Sequence, residues 1–296
     1  LKEHALATES WQWEDIVIKG KPGGLLKVKG LEWKVEPQVD FDSTKGISRS
    51  SRPDLVFWPE PGNPGEPTAL FLDGYRYHVS PGSDESAMPG DIEKRQAIMT
   101  AKGYQIWTLT WYDLDEFKDS LPGQTIFSGS GLSNFSTILN QSGVTDLQAS
   151  LVDSNAIELF LHYLAKPAPE QWQKFAFSLS AIFVTSKNVR RIPKEIEDAL
   201  DIIRNSDDVS GLSLTDSEDT DHPFAELIQK NFISHLSSAP LSALGGKDAS
   251  QLTSLTRIET DKDSRGDALY REEWRIFWQT MNWLQFLKES EIASQN

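Results

Sequence analysis

The sequence contains no cysteine among its 296 residues. Without thiols the chain can form no disulfide, no zinc finger and no iron–sulfur cluster, and it has no thiol nucleophile. Any metal site must therefore use carboxylate, imidazole or carbonyl ligands. The absence of disulfides also favours a reducing, cytoplasmic location.

Long apolar runs are absent as well. No segment approaches the roughly 18 consecutive apolar residues of a membrane-spanning helix. The N-terminal segment lacks the charged and then apolar layout of a secretory signal. We therefore expect no membrane association. Because the chain begins with Leu1 rather than methionine, we also expect it to be a piece of a longer protein.

Positive charge is in the minority, with 29 lysines and arginines against 44 acidic side chains and a formal net charge of −15. This balance argues against free-standing, non-specific DNA binding, which needs a basic face to neutralise phosphates. The acidic excess is uneven, since the segment from Asp201 to Asp221 carries seven acidic side chains and one basic one. Its Ser, Thr and Gly content predicts a solvated acidic loop at residues 205–221.

Residues 1–120 have the pattern of an α/β domain. Val, Ile and Trp at alternating positions indicate strands, with a Pro-Gly-Gly turn at residues 22–24. A helix is predicted from Asp91, as its N-cap, to a C-terminal stop at Gly103, and it can cross over to a parallel strand. The predicted strands cover residues 11–20, 25–41, 52–58, 68–78 and 105–111.

Residues 151–296 have the pattern of a helical subdomain, joined to the first domain by a Gly/Ser/Asn-rich linker at 121–150. His162 lies on an apolar helix face and is predicted to be in the core. The last helix carries an apolar stripe that is better explained by buried packing than by stacking on bases. The stripe consists of Trp274, Phe277, Trp278, Met281 and Leu284. The predicted helices cover residues 154–165, 169–184, 193–204, 222–236 and 267–290.

One group of residues has the composition of a metal-assisted hydrolase. Asp54 opens a predicted strand, and Asp73 ends the next, so both carboxylates can converge on a hard divalent cation. His78 can move a proton near neutral pH, and Lys94 or Arg95 on the following helix can hold a phosphate. These parts suffice for metal-assisted phosphodiester hydrolysis.

The residues 52–57, 70–78, 91–95 and 103–111 resemble the PD-(D/E)xK nuclease superfamily, and within it the very-short-patch-repair endonuclease-like branch. The resemblance covers about residues 33–112. It implies a restriction-endonuclease-like mixed sheet flanked by helices and DNA cleavage with Mg²⁺ or Mn²⁺. It also implies Asp54 and Asp73 as metal ligands and His78 as the histidine of the Asp-Gly-x-x-x-His segment. Arg95 would lie in the basic helix, and the carbonyl of Leu72 or Gly74 would complete the metal shell.

The sequence departs from this family at three points. Tyr75 occupies the position of the superfamily's lysine, although the repair branch also lacks that lysine and uses histidine. The zinc-binding cysteines of the mismatch enzyme are absent, so no zinc is expected and mismatch recognition is not carried over. The glutamate that often precedes the site could not be assigned among Glu3, Glu9 and Glu14.

The same pattern, with its aromatic last helix, is similar to C-terminal regions of large bacterial DEAD/DEAH-box helicases of phage-defence systems, such as the Druantia type. No phosphate-binding G-x-x-x-x-G-K-[ST] loop is present, so ATPase activity would lie outside this chain. We therefore expect this chain to be the nuclease part of a bacterial, cytoplasmic helicase–nuclease of antiviral defence. Its expected partners are DNA and the helicase portion of the same parent protein. The alternative is a catalytically inactive nuclease-like module that binds nucleic acid or acts as a scaffold. The basic residues predicted to contact nucleic acid are Arg49, Arg52, Arg76, Lys187, Arg190 and Arg191.

Overall fold

The structure is a computed structural model that describes residues 11–101, 103–119, 131–185, 224–229, 233–238, 253–287 and 289–295. The chain divides into two compact units whose segments alternate along the sequence. The first unit comprises Leu1–Gly74, Lys94–Gly123 and Ser154–Pro169, and the second comprises Tyr75–Glu93, Gln124–Asp153 and Glu170–Asn296. None of the helices in the described part of the chain is long and apolar enough to cross a membrane.

The first unit is built on a six-stranded sheet with the strand order β1-β2-β3-β4-β5-β6. Neighbouring strands are antiparallel from β1 to β5, whereas β6 is parallel to β5. The expected α/β class with a mixed sheet flanked by helices is therefore confirmed. The strands are β1 (Trp11–Ile18), β2 (Lys21–Val28), β3 (Leu31–Pro37), β4 (Leu55–Pro59), β5 (Thr68–Asp73) and β6 (Gln105–Thr110).

The predicted turn at Pro22–Gly24 is wrong, because these residues lie inside β2. The chain turns instead at Lys19-Gly20 and Lys29-Gly30, where both central residues of each two-residue loop have positive φ, as type I′ hairpins require. Gly24 is needed in the strand for another reason. A Cβ on it would lie 2.0 Å from the ring of Trp13.

The connection from β5 to β6 contains a short helix, α1 (Tyr75–His78), and a longer one, α2 (Met88–Thr100). The predicted helical crossover between parallel strands is confirmed. Two details differ from the prediction. The strand predicted over 68–78 ends at Asp73, and α2 begins at Met88, so Asp91 lies in its first turn and is not its N-cap. After β6 the chain forms α3 (Trp111–Lys118), whose N-cap Thr110 makes a capping box with Asp113.

Helices cover both faces of this sheet. On one face the C-terminal part of α2 packs into an apolar cluster of strand and loop residues. On the other face lies α5 (Ala156–Ala165), whose Phe160 contacts Phe57 and Trp107 with ring centroids 5.1 and 5.4 Å apart. The indole of Trp33 donates to the carbonyl of Leu164 at 3.0 Å. The cluster under α2 consists of Val39, Phe41, Ile47, Val56, Ala69, Phe71, Ala97, Ile98 and Ile106.

The second unit contains helices and a four-stranded sheet of order β10-β9-β8-β7. The aromatic stripe of its last helix is buried, which confirms that part of the prediction. Residues 131–141 of the predicted linker are helical. The helices are α4 (Gly131–Gln141), α6 (Pro169–Thr185) and α7 (Ala268–Leu284), and the strands are β7 (Phe224–Gln229), β8 (Ile233–Ser238), β9 (Thr253–Glu259) and β10 (Glu289–Gln295).

Two helix predictions in this unit are wrong. The sequence predicts a helix over 222–236, but this range contains β7 and the first four residues of β8, which pair antiparallel. Short apolar runs fit helix and strand periods equally well, and here pairing with β9 selects the strand. The helix predicted over 267–290 ends at Leu284, and Glu289–Gln295 form β10 alongside β9. The predicted helix 193–204 and acidic loop 205–221 lie outside the described residues.

Candidate functional site

Asp73 ends β5 with its carboxylate almost completely buried, at 1% exposure. Its Oδ1 accepts a hydrogen bond from Nη2 of Arg95 at 2.6 Å, and Arg95 is itself 2% exposed. The guanidinium also lies 4.0 Å from the ring centroid of Phe71 and donates from Nε to the hydroxyl of Thr108 at 3.4 Å. Arg95 is therefore a buried partner of Asp73, and in this structure its guanidinium does not reach solvent.

Asp54 lies immediately before β4, at the same edge of the sheet as the end of β5. The antiparallel register of these strands, with Leu55 opposite Leu70, produces that juxtaposition. Asp54 Oδ2 accepts a hydrogen bond from the backbone N–H of Leu72 at 2.8 Å, and Oδ1 accepts one from Gln38 Nε2 at 3.4 Å. The carboxylate of Asp54 thus fixes the backbone at the end of β5, next to Asp73. A metal role for Asp54 and for the Leu72 carbonyl stays a prediction.

His78 and Asp91 form a close pair. The imidazole Nδ1 lies 2.6 Å from Asp91 Oδ2, and the two side chains are 28% and 6% exposed. Because an ionised carboxylate only accepts hydrogen bonds, it favours the tautomer with the proton on Nδ1. The lone pair then resides on Nε2, the nitrogen that can accept a proton or bind a cation.

The residues that can hold a metal ion form one group of two carboxylates and an imidazole. Asp73, His78 and Asp91 each offer a ligand atom, and these atoms lie within 4.8 Å of one another. Among the described residues, Asp54 does not belong to this group of carboxylates and imidazole. Carboxylates suit Mg²⁺ and Mn²⁺ alike, whereas an imidazole ligand favours transition metals over Mg²⁺. The donor set therefore fits Mn²⁺ better than Mg²⁺.

The other predicted residues have different surroundings. Lys94 is half-buried on α2, next to the buried Arg95. Arg49 and Arg76 are exposed. Arg52 is exposed and donates from Nε to Asp40 at 2.8 Å, and this contact lowers the pKa of Asp40 and raises that of the guanidinium. Lys187, Arg190 and Arg191 lie outside the described residues.

Sequence reasoning assigned no functional role to Asp91. The signal that could have identified it is its position four residues before Arg95, on the same face of a helix. Tyr75, at the position of the family's lysine, is buried and donates its hydroxyl to the carbonyl of Arg265 at 3.0 Å. Of the candidate glutamates, Glu14 lies on β1, and Glu3 and Glu9 lie outside the described residues.

A separate cavity of about 340 Å³ lies in the first unit, and none of the predicted site residues lines it. Its lining includes Trp11, Phe117, Lys29 and the outer side of α5 with Glu158 and His162. His162 is exposed there, so its predicted place in the core is wrong. Partial burial and the neighbouring Lys29 lower the pKa of its imidazole.

Comparisons with family models, curated proteins and solved structures found no match to this chain.

Proposed function

We propose that this chain carries a metal-dependent phosphodiesterase site that cleaves DNA. The observation that supports the proposal best is the imidazole of His78, whose Nδ1 lies 2.6 Å from Asp91 Oδ2. His78 ends the short helix α1, which follows the strand that ends in the buried Asp73. An imidazole oriented by a carboxylate is a common arrangement for a general base and for a metal ligand. Two such carboxylates beside one imidazole are the components of a hydrolytic site.

Asp73, His78 and Asp91 would hold the ion, with Mn²⁺ preferred and Mg²⁺ accepted. A bound divalent cation would supply a water of lowered pKa and neutralise charge on the phosphate. His78 would bind the ion through Nε2, and Asp91, which accepts the Nδ1 proton, keeps the ring in one orientation. Asp54 holds the backbone of Leu72 and thereby fixes the position of Asp73.

Two exposed aromatic side chains support a nucleic acid as the substrate. Tyr77 is 80% exposed and precedes His78, and Trp111 is 57% exposed and follows Thr110, the sheet partner of Asp73. Stacking on exposed aromatic rings contributes about 1–3 kcal/mol per base and tolerates any sequence. With a net charge of −15, the chain would depend on a partner to hold the DNA, and the proposed partner is a helicase portion of the same parent protein.

The decisive experiment combines Mn²⁺ and Mg²⁺ titration by calorimetry with cleavage of labelled DNA. We expect saturable Mn²⁺ binding and Mn²⁺-dependent cleavage in the wild type. His78→Gln and Asp91→Asn should weaken Mn²⁺ binding by at least about tenfold and reduce cleavage. His162→Gln is the matched control, since it removes an imidazole outside the site. Wild-type Mn²⁺ affinity and cleavage in His78→Gln would refute the proposal.

The second candidate function is a catalytically silent module that binds nucleic acid or a protein partner. The buried contact between Asp73 and Arg95 favours it, because the guanidinium already supplies the positive charge that a metal would bring. A silent module should show no saturable Mn²⁺ site that depends on Asp73, while still binding single-stranded DNA. Calorimetry therefore distinguishes the two candidates before any cleavage assay.

A further inference from the structure

The loop between His78 and Asp91 is held by one buried side chain from a distant part of the sequence. We call residues 79–87 the connecting loop. Arg265, which is 2% exposed, inserts its guanidinium among the carbonyl groups of this loop. It donates to the carbonyl oxygens of Val79 (2.8 Å), Ser80 (3.2 Å), Ser83 (2.8 Å) and Glu85 (3.3 Å).

The segment around Arg265 also fixes both ends of the loop. At the start, Tyr75 donates its hydroxyl to the backbone carbonyl of Arg265 at 3.0 Å. At the end, the indole of Trp274 donates to the sulfur of Met88 at 3.1 Å. Tyr75 lies three residues before His78 on α1, and Met88 lies three residues before Asp91 on α2, so the two anchors set the separation of the pair.

The loop has little regular structure of its own. Ser80 has a φ of +52°, an uncommon conformation for a residue with a side chain, and Gly82 has a φ of +77°. Its carbonyl groups converge on one point, and a planar guanidinium with five donors satisfies them together. Nη1 contacts the carbonyl groups of Val79, Ser80 and Glu85, and Nη2 contacts that of Ser83, so a lysine, whose three donors surround a single nitrogen, does not reproduce all four contacts. The chemistry of the contact is therefore specific to arginine.

We propose that Arg265 is a positioning residue that holds His78 against Asp91 by binding the carbonyl groups of the connecting loop. This inference rests on the function proposed above for the pair. It means that the site is incomplete without a residue 187 positions after His78. The guanidinium of Arg265 contacts the loop backbone and acts on the site by positioning the loop.

The test compares full-length Arg265→Lys with the wild type. The first readout is the His78 imidazole signal in ¹⁵N-labelled protein without metal, assigned by its loss in His78→Gln. The second is the Mn²⁺ affinity measured by calorimetry. We expect Arg265→Lys to shift the downfield Nδ1 proton of His78 or exchange-broaden it, and to weaken Mn²⁺ binding about tenfold. Denaturant unfolding shows whether the variant keeps a cooperative fold.

The matched control is Lys262→Ala. Lys262 belongs to the same segment and contacts Asp84 of the same loop, but that pair is exposed and its loss should leave both readouts unchanged. A folded Arg265→Lys with the wild-type His78 signal and wild-type Mn²⁺ affinity would overturn the inference. If Arg265→Lys fails to fold, Tyr75→Phe decides in its place, because it removes only the hydrogen bond to the Arg265 carbonyl. An unchanged His78 signal in Tyr75→Phe then overturns the inference, and a shifted signal supports it.

The two proposals can fail separately. If the wild type does not bind Mn²⁺, the proposed function is rejected. A His78 signal that changes in Arg265→Lys would still support the inference that Arg265 positions His78. If the wild type binds Mn²⁺ and Arg265→Lys changes neither the Mn²⁺ affinity nor the His78 signal, the proposed function is retained and the positioning role of Arg265 is rejected.

Discussion

Asp73 and Arg95 form a buried ion pair whose two members are 1% and 2% exposed. Removing two charges from water costs several kcal/mol per ion, and the contact at 2.6 Å offsets that cost only while both partners remain. The guanidinium has further contacts with the ring of Phe71 and the hydroxyl of Thr108, which hold it in this position. At this site a change of one residue therefore alters stability as well as chemistry.

We expect Asp73→Ala to lower the free energy of unfolding by about 3–5 kcal/mol, because it leaves the buried charge of Arg95 without its partner. Urea denaturation followed by tryptophan fluorescence measures the change. Asp40→Ala is the control, since it breaks the exposed contact with Arg52 and should have no measurable effect. An Asp73→Ala variant as stable as the wild type would show that the ion pair does not matter for folding.

Sequence reasoning identified Asp73 and His78 because their types and strand context suggest chemistry. It did not identify Asp91, because the contact between Asp91 and His78 depends on the shape of the connecting loop. That shape in turn depends on Arg265, which no spacing or local motif relates to His78. Asp73, which ends a strand, could be proposed as a candidate from the sequence, whereas Asp91, whose partner is brought close by a long-range contact, could not.

At the level of elements, α2 shows where local signals suffice, and the first hairpin shows where they do not. The crossover helix is predictable from its end signals at Asp91 and Gly103, and its neighbouring strands are predictable from short continuous apolar runs. The turn predicted at Pro22–Gly24 is wrong because glycine occurs both in turns and at places where a side chain packs closely on the backbone. Gly24 makes room for the Trp13 ring and does not turn the chain. The sequence predicts one helix where β7 and β8 lie, because a short apolar run fits both periods and the pairing of β8 with β9 is not visible in the run itself.

Two glycines at the ends of the α2 region give a test with opposite signs. Gly90 lies within α2, and a Cβ there meets nothing within 4 Å, so Gly90→Ala should raise the unfolding free energy by about 0.5–1 kcal/mol. Gly103 has equal space but a φ of +82°, so Gly103→Ala should lower it by about 1–2 kcal/mol. Urea unfolding measures both. Equal changes in the two variants would mean that backbone conformation does not decide the outcome.

At the level of the whole molecule, the two compact units are not contiguous in sequence. The first unit takes residues Ser154–Pro169 from beyond the predicted linker, and the second takes Tyr75–Glu93 from within the predicted nuclease domain. The predicted domain boundaries at 120 and 150 follow changes in composition, and composition does not report which helix covers which face of a sheet. The division into 1–120, 121–150 and 151–296 therefore remains a prediction that a fragment experiment can test.

We expect residues 1–120 alone not to fold cooperatively. Helix α5, which such a fragment lacks, covers Trp33 and Trp107, and both indoles are completely buried in the chain. Exposing half of two rings of about 200 Å² each, at about 25 cal/mol per Å², costs about 5 kcal/mol. This cost equals the total free energy of unfolding of a small domain at the lower end of the usual range, which is about 5 kcal/mol.

The measurement compares fragments 1–120 and 1–170 by near-ultraviolet circular dichroism and urea denaturation. Fragment 1–170 restores α5, so it should regain the tryptophan signal of a packed interior, while 1–120 should lack both that signal and a sigmoidal transition. A cooperative transition in 1–120 would instead support a contiguous nuclease-like domain, since it would mean that the sheet is stable with the face of Trp33 and Trp107 uncovered.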